Sequence, residues 1–308
     1  TQFHIQGDND VKKKNEFYGV WCPSITPMTS AGKIDLNGLR QHISRLTEAS
    51  IDVVLLMGSI GEFASFTLDE RLMLIREVRG MTPGTLVANV SSTCLNDVEW
   101  MADEAFRTGY DAVMVLPPYY YGQTSAQLLS YFRHLGQRLK GKWFAYNFPA
   151  RTGCDLTPEI VATLAAEFPN FAGIKDTVDC QSHTRNIILA TEKIRDDFAV
   201  LSGYDEYFIP NLLAGGAGVI SGLNNVMPEL FVRAREAWKQ NDLATLHEAQ
   251  REMGKFMSIY TIGEDFVTTI KTVVARKFGY CGATSRNAGG ELTPAQCAQI
   301  DEVFGIGH

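Results

Sequence analysis

Lys175 closes the short apolar run Phe-Ala-Gly-Ile-Lys, and Tyr146 lies near the end of another, Trp-Phe-Ala-Tyr-Asn. A primary amine and a phenol are the pair that imine chemistry needs. A neutral amine attacks a carbonyl and condenses with it, while a neighbouring hydroxyl moves protons to and from the carbinolamine and the departing oxygen. Strand alternation puts Lys175 on one face with Gly173, and Ile174 and Asp176 on the other. On that pattern Gly173 leaves room beneath the lysine, the side chain turns inward, and Asp176 is not its partner from the same strand. A lysine buried there is desolvated, which favours the neutral amine. Taken singly, neither residue is informative. Most lysines reach solvent, and a buried tyrosine ordinarily hydrogen-bonds a carbonyl.

Other polar groups stand where apolar runs stop. Gly58-Ser59-Ile60-Gly61-Glu62 has glycines that allow a tight turn with exposed amides, which suits a carboxylate. The Ser59 hydroxyl can reach Tyr146. A plain strand-to-helix turn uses the same residues, and Glu62 is equally readable as a scaffold carboxylate that fixes the loop. Pro117-Pro118-Tyr119-Tyr120-Tyr121 is an aromatic cluster that fits packing or a subunit contact as well as catalysis. Arg151 can bind a carboxylate bidentately or merely pair on the surface. The histidines, His4, His42, His134, His183, His247 and His308, fall in tails or helical stretches, and no HxH, GxSxG or P-loop motif occurs. Metallohydrolase and serine-hydrolase readings lose their signatures. Cys22, Cys94, Cys154, Cys180, Cys281 and Cys297 are scattered without a CxxC pair. They read as free thiols in a reducing compartment, with no structural metal.

The elements that must position these residues alternate along the chain. Apolar, β-rich runs at 20–25, 53–57, 86–90, 112–116, 143–148, 171–175, 198–202 and 218–221 read as strands. Helical patterns at 39–48, 68–78, 97–107, 126–139, 158–167 and 184–192 lie between them. Eight strand–helix units predict an α/β fold, the (β/α)8 TIM barrel. The alternative, an open doubly wound sheet, lacks its GxGxxG loop after the first strand. In such a barrel chemistry sits at the C-terminal strand ends, where Lys175 and Tyr146 fall. Residues 1–16 read as a polar tail, 17–240 as the barrel, and 241–308 as a C-terminal helical extension. The extension shows helical patterns over 241–278 and 293–304, with a glycine-containing loop from Gly282 to Gly290.

Hydrophobic residues make up 45% of the 308 and charged residues 20%, the balance of a globular chain whose core needs no covalent staples. The net charge of −7 argues against nucleic acid and anionic membranes as partners. The basic run Lys12-Lys13-Lys14 reads as a solvated tail. No apolar run has membrane-span length and no signal-peptide pattern opens the sequence, so cytoplasm is the default expectation.

Taken in order, the motifs resemble the dihydrodipicolinate synthase/N-acetylneuraminate lyase family over about residues 17–280. That family's GxxGE turn is matched by Gly58–Glu62, followed by Glu70-Arg71, and its Pro-Tyr-Tyr segment by Pro118–Tyr120. Its Tyr-Asn-x-Pro-x-x-(Thr/Ser)-Gly motif is matched by Tyr146–Gly153, and its Gly-(Ile/Val)-Lys by Gly173–Lys175. The resemblance implies that Lys175 forms a Schiff base with pyruvate and that Tyr146 transfers protons. It implies that Ser59 links Tyr146 to Tyr120, and that Tyr120 comes from a neighbouring subunit of a homotetramer. The backbone of Ser59 and Ile60 would hold the pyruvate carboxylate. Ile60 replaces the usual Thr, removing one side-chain hydrogen bond.

Within the family the segments 146–158, 173–179 and 202–205 look most like aldolases of 2-keto-3-deoxy sugar acids, gluconate-type. Gly203-Tyr204-Asp205-Glu206 also looks like the sialic-acid lyases, in which the acids bind sugar hydroxyls. Ile220 and Ser221 end the eighth run, and the polar loop from Ser221 to Asn225 suits a polyhydroxylated substrate. Arg151 looks like the synthase arginine that binds a second substrate's carboxylate. The expectation is a class I, pyruvate-dependent lyase that cleaves a keto-deoxy sugar acid to pyruvate and an aldehyde, with the imine on Lys175 in place of any cofactor. The alternatives are a synthase joining pyruvate to aspartate semialdehyde, an N-acetylneuraminate lyase, and a keto-deoxy sugar acid dehydratase. A non-catalytic keto-acid sensor would be suggested by loss of Lys175 or Tyr146; both are present.

Overall fold

The computed structural model of the chain describes residues 16–286 and 290–307; the Lys12–Lys14 run lies outside them. Eight strands form a closed parallel barrel in chain order: β1 (Gly19–Pro23), β2 (Val53–Leu56), β3 (Thr85–Asn89), β4 (Ala112–Val115), β5 (Lys142–Asn147), β6 (Phe171–Asp176), β7 (Ala199–Ser202) and β8 (Gly218–Ile220), with β8 returning to β1. Runs such as Val-Val-Leu-Leu in β2 and Ala-Val-Met-Val in β4 are buried throughout, as strands covered on both faces must be.

The helices are α1 (Leu36–Glu48), α2 (Leu68–Arg79), α3 (Leu95–Thr108), α4 (Ser125–Arg138), α5 (Pro149–Thr152), α6 (Pro158–Glu167), α7 (Gln181–Thr191), α8 (Phe208–Leu213), α9 (Pro228–Gln240), α10 (Leu243–Phe256), α11 (Phe266–Phe278) and α12 (Pro294–Phe304). Reciprocal capping boxes start α2 (Thr67 with Glu70), α4 (Thr124 with Gln127) and α12 (Thr293 with Gln296). The short α5 and α8 escaped the sequence reading because one or two turns carry too little periodicity to register. The stretch 241–278 is not continuous helix. A 3-10 turn over Met257–Tyr260 interrupts it, and Asp265 then caps α11 by accepting from the Val267 and Thr268 amides. Among the described residues no helix is long and apolar enough to cross a membrane.

The extension is not a separate body. Its Leu246, Met253, Ile270, Val273, Ile300 and Phe304 share one buried cluster with Val20 of β1 and Val219 of β8. Inside the barrel, Trp21 of β1 meets Phe144 of β5 edge-on, with ring centroids 5.2 Å apart.

Between β5 and β6 the register shifts: Trp143 pairs with Phe171, but Phe144 pairs with Gly173. This irregularity sets Tyr146 directly beside Lys175. Gly173 proves to serve packing differently from the sequence expectation. A Cβ there would lie 2.5 Å from Phe144 Cε1 and 2.2 Å from the Ala199 carbonyl oxygen. The space under the lysine is therefore filled by the Phe144 ring and the β7 backbone. Gly173→Ala should cost at least about 1–3 kcal/mol in a urea unfolding curve, and an unchanged midpoint would contradict this packing.

Candidate active site

The ends of β5 and β6 bring Tyr146 and Lys175 together. Tyr146 is 1% exposed, Lys175 5%, and the lysine Nζ lies 4.4 Å from the centre of the tyrosine ring. Among the described residues no Asp or Glu pairs with that amine. Asp176 turns to the other face, as alternation requires. It accepts from Asn147 Nδ2 (2.9 Å), Thr184 Oγ1 (2.6 Å) and His183 Nδ1 (3.0 Å).

Asn147 and His183 also both reach Asp155, at 2.8 and 3.2 Å. These contacts rivet the two strand ends from behind. The carboxylates of Asp155 and Asp176 push the His183 imidazole up from 6.5 to about 10. Folding raises its affinity for a proton, so the stabilisation is fully present below pH 6.5 and fades as pH climbs toward 10. Melting midpoints of the native protein should therefore fall more steeply from pH 7 to 10 than those of His183→Gln. Parallel pH profiles would remove the charge pairing.

The turn after β2 is tightly constrained. Met57 and Glu62 both adopt left-handed backbone conformations, with φ of 56° and 60°, unusual for residues other than glycine. Asn89 Nδ2 donates to the Met57 carbonyl (2.7 Å) and Thr26 Oγ1 to that of Gly61 (2.9 Å). Between these anchors the Ser59 and Ile60 amides have no acceptor among the described residues, so two donors are free for an anion. The Ser59 hydroxyl lies 3.2 Å from that of Tyr146.

A cavity of about 350 Å3 joins these pieces. Ser59, Ile60, Tyr146, Lys175, Gly203, Asp205, Glu206 and Ile220 all line it. Also at the cavity, Tyr260 of the extension donates its hydroxyl to Asp205 Oδ2. Burial raises Asp205 above the ordinary carboxylate range, opposed by the Ser221 and Tyr260 hydroxyls. Among the described residues Asp205 Oδ1, Ser221 Oγ and Thr177 Oγ1 are buried without a partner of normal hydrogen-bond geometry. Buried polar atoms are rarely left so, and unsatisfied ones beside a cavity are the groups a hydroxylated ligand would satisfy.

Three expected residues do not line this cavity, and the first, Ser221, is fully buried behind it between Ile220 and Gly222, which do. Arg151 lines an adjoining outer chamber of about 520 Å3, with Tyr119, Glu264 and Asp265, beyond a wall formed by Phe148 and Phe266. Tyr120 is 87% exposed, with φ of 97° and its ring edge-on to Tyr121, and does not line the cavity of its own chain.

The sequence reading missed Thr177, Tyr204, Met257, Tyr260 and Phe266, which also line the cavity. Thr177 was findable, since it lies two residues past Lys175 on the same alternating face. Tyr260 and Phe266 carry no local signal; only the docking of the extension brings them in.

A (β/α)8 barrel with a buried lysine and tyrosine at adjacent strand ends, facing free amides, belongs to a recognisable class of lyases. Comparison with known proteins agrees. The model of the dihydrodipicolinate synthetase family matches residues 16–292, and the chain belongs to that family. It is 32% identical over 262 residues to the putative 2-dehydro-3-deoxy-D-gluconate aldolase YagE of Escherichia coli K12, covering 84% of this chain and 86% of that protein. It is 31% identical over 258 residues to the probable 2-dehydro-3-deoxy-D-pentonate aldolase YjhH of the same organism, covering 83% and 86%. It is 35% identical over 240 residues to a 4-hydroxy-tetrahydrodipicolinate synthase of Methanopyrus kandleri, covering 76% and 78%. The crystal structure of YagE in complex with pyruvate superposes with a TM-score of 0.91 at 29% identity, covering 94% of this chain and 98% of that one. The protein is a lyase of this family.

Proposed function

We propose that the protein is a class I, pyruvate-dependent aldolase that cleaves a 2-keto-3-deoxy sugar acid into pyruvate and an aldehyde. The carrying observation is Lys175 beside Tyr146 in a cavity that Asp205 and Thr177 also line, with Asp205 Oδ1 and Thr177 Oγ1 buried and lacking a normally formed hydrogen bond among the described residues. The relatives named as aldolases of keto-deoxy sugar acids support the same reading.

In this mechanism the Ser59 and Ile60 amides bind the substrate carboxylate, and the Lys175 amine adds to the keto carbon. Loss of water leaves an iminium ion. Tyr146, hydrogen-bonded to Ser59 and left as a phenolate by giving its proton to that departing water, takes the proton from the hydroxyl one carbon beyond the methylene. The bond between the methylene and that hydroxyl-bearing carbon breaks, and its electron pair moves into the iminium as an enamine. The aldehyde leaves. Protonation of the enamine carbon gives the pyruvate imine, which water hydrolyses to free Lys175. Because the iminium is itself the electron sink, this chemistry calls for neither metal nor organic cofactor. Asp205, Glu206, Ser221 and Thr177 recognise the hydroxyls of the departing part. In this reading exposed Tyr120 completes the relay of a neighbouring subunit in a homotetramer.

The test is a panel of 2-keto-3-deoxy sugar acids scored by pyruvate release. Release from at least one member is expected, and failure across the panel would overturn the reading. Arg151 in the outer chamber and the synthase relative favour a second reading, condensation of pyruvate with aspartate semialdehyde. That condensation, found without any retro-aldol activity, would replace the first.

A further inference from the structure

The free amides of the 57–62 turn owe their geometry to residues more than two hundred positions away. Glu62 ends the turn in its left-handed conformation, and its side chain is fully buried. Lys271 of α11, also fully buried, donates to Glu62 Oε1 and to the Thr284 carbonyl (3.0 Å). The other carboxylate oxygen accepts from Ser285 Oγ (2.8 Å) and from the Arg286 amide (2.7 Å). Arg286 then fastens the strap from outside. Its guanidinium makes a bidentate pair with Glu70 (2.7 and 2.8 Å) and donates to the Ser65 (3.2 Å) and Gly32 (3.1 Å) carbonyls. Every oxygen of a buried carboxylate is thus spoken for, and its only ion-pair partner among the described residues is one buried amine.

A left-handed non-glycine residue persists only where its surroundings over-determine it. Here those surroundings are the extension, acting on a residue two positions beyond the free Ile60 amide. We propose that Lys271 and Ser285 are positioning residues for the keto-acid half of the site, acting through Glu62 to hold the Ser59 and Ile60 amides toward a carboxylate. The inference rests on the aldolase reading only in taking that carboxylate to be pyruvate's.

The experiment is borohydride trapping of pyruvate on the full chain, with Ser285→Ala and Lys271→Met beside the unaltered protein. Half-saturation by pyruvate should rise about threefold in Ser285→Ala and about tenfold in Lys271→Met, as loss of hydrogen bonds to a charged group predicts. The trapping rate of an uncharged methyl ketone, which has no carboxylate for the amides to hold, should stay within about twofold. A merely structural loosening would change both carbonyls alike. Equal shifts for the two, or an unchanged pyruvate half-saturation in Ser285→Ala, overturn the proposal. Should Lys271→Met not fold, Ser285→Ala decides alone, since it removes one hydroxyl and leaves the ion pair in place. No trapping in the unaltered protein would instead sink the aldolase reading.

Discussion

Lys175→Ala is expected to lower pyruvate release by on the order of 10⁴-fold or more, and to abolish covalent labelling by pyruvate and borohydride. Loss of a covalent catalyst costs factors of this size because the reaction has no other route through an intermediate. The fold should survive, since the side chain lies at the cavity and makes no ion pair among the described residues. The other buried lysine among the described residues, Lys271, is held by Glu62 and the Thr284 carbonyl and lines neither cavity. Peptide mapping of the trapped adduct therefore has one expected position. Label retained by Lys175→Ala, or found on any other lysine, would end the assignment.

The second large effect belongs to the phenol. Tyr146→Phe keeps the ring that packs against Lys175 Nζ and the stack on Phe148, where ring centroids lie 5.9 Å apart. It removes only the hydroxyl shared with Ser59. Turnover should fall by about 10²- to 10⁴-fold, the usual worth of a positioned acid–base group. Stability should change by no more than about 1 kcal/mol, the net worth of one hydrogen bond. Trapping should still occur on Lys175, only more slowly. Turnover within tenfold of the unaltered enzyme would assign the proton transfer to another group.

The barrel was legible because each strand is a continuous apolar run and each helix carries its own stripe, both of which are local patterns. The pairing of Lys175 with Tyr146 was legible for the same reason, as polar residues at the ends of successive strands. What escaped was whatever depends on distant parts of the chain. His183 reads from sequence as a helix residue, yet it bridges Asp155 and Asp176 behind the site. Gly173 read as open space because sequence does not show where a ring from the preceding strand will lie. Tyr260, Lys271 and Ser285 approach residues 55, 209 and 223 positions away, separations at which no periodicity survives. Ser59 and Ile60 line the cavity, while the contacts that hold Glu62 at the end of their turn come from outside the motif.

Synthesis runs from the N-terminus, so Glu62 leaves the ribosome 223 residues ahead of Ser285. A nascent chain can close all eight strands while that acid still lacks its counter-ion. On the positioning role proposed for Lys271 and Ser285, the binding turn is set only once the extension has been made, after every strand of the barrel.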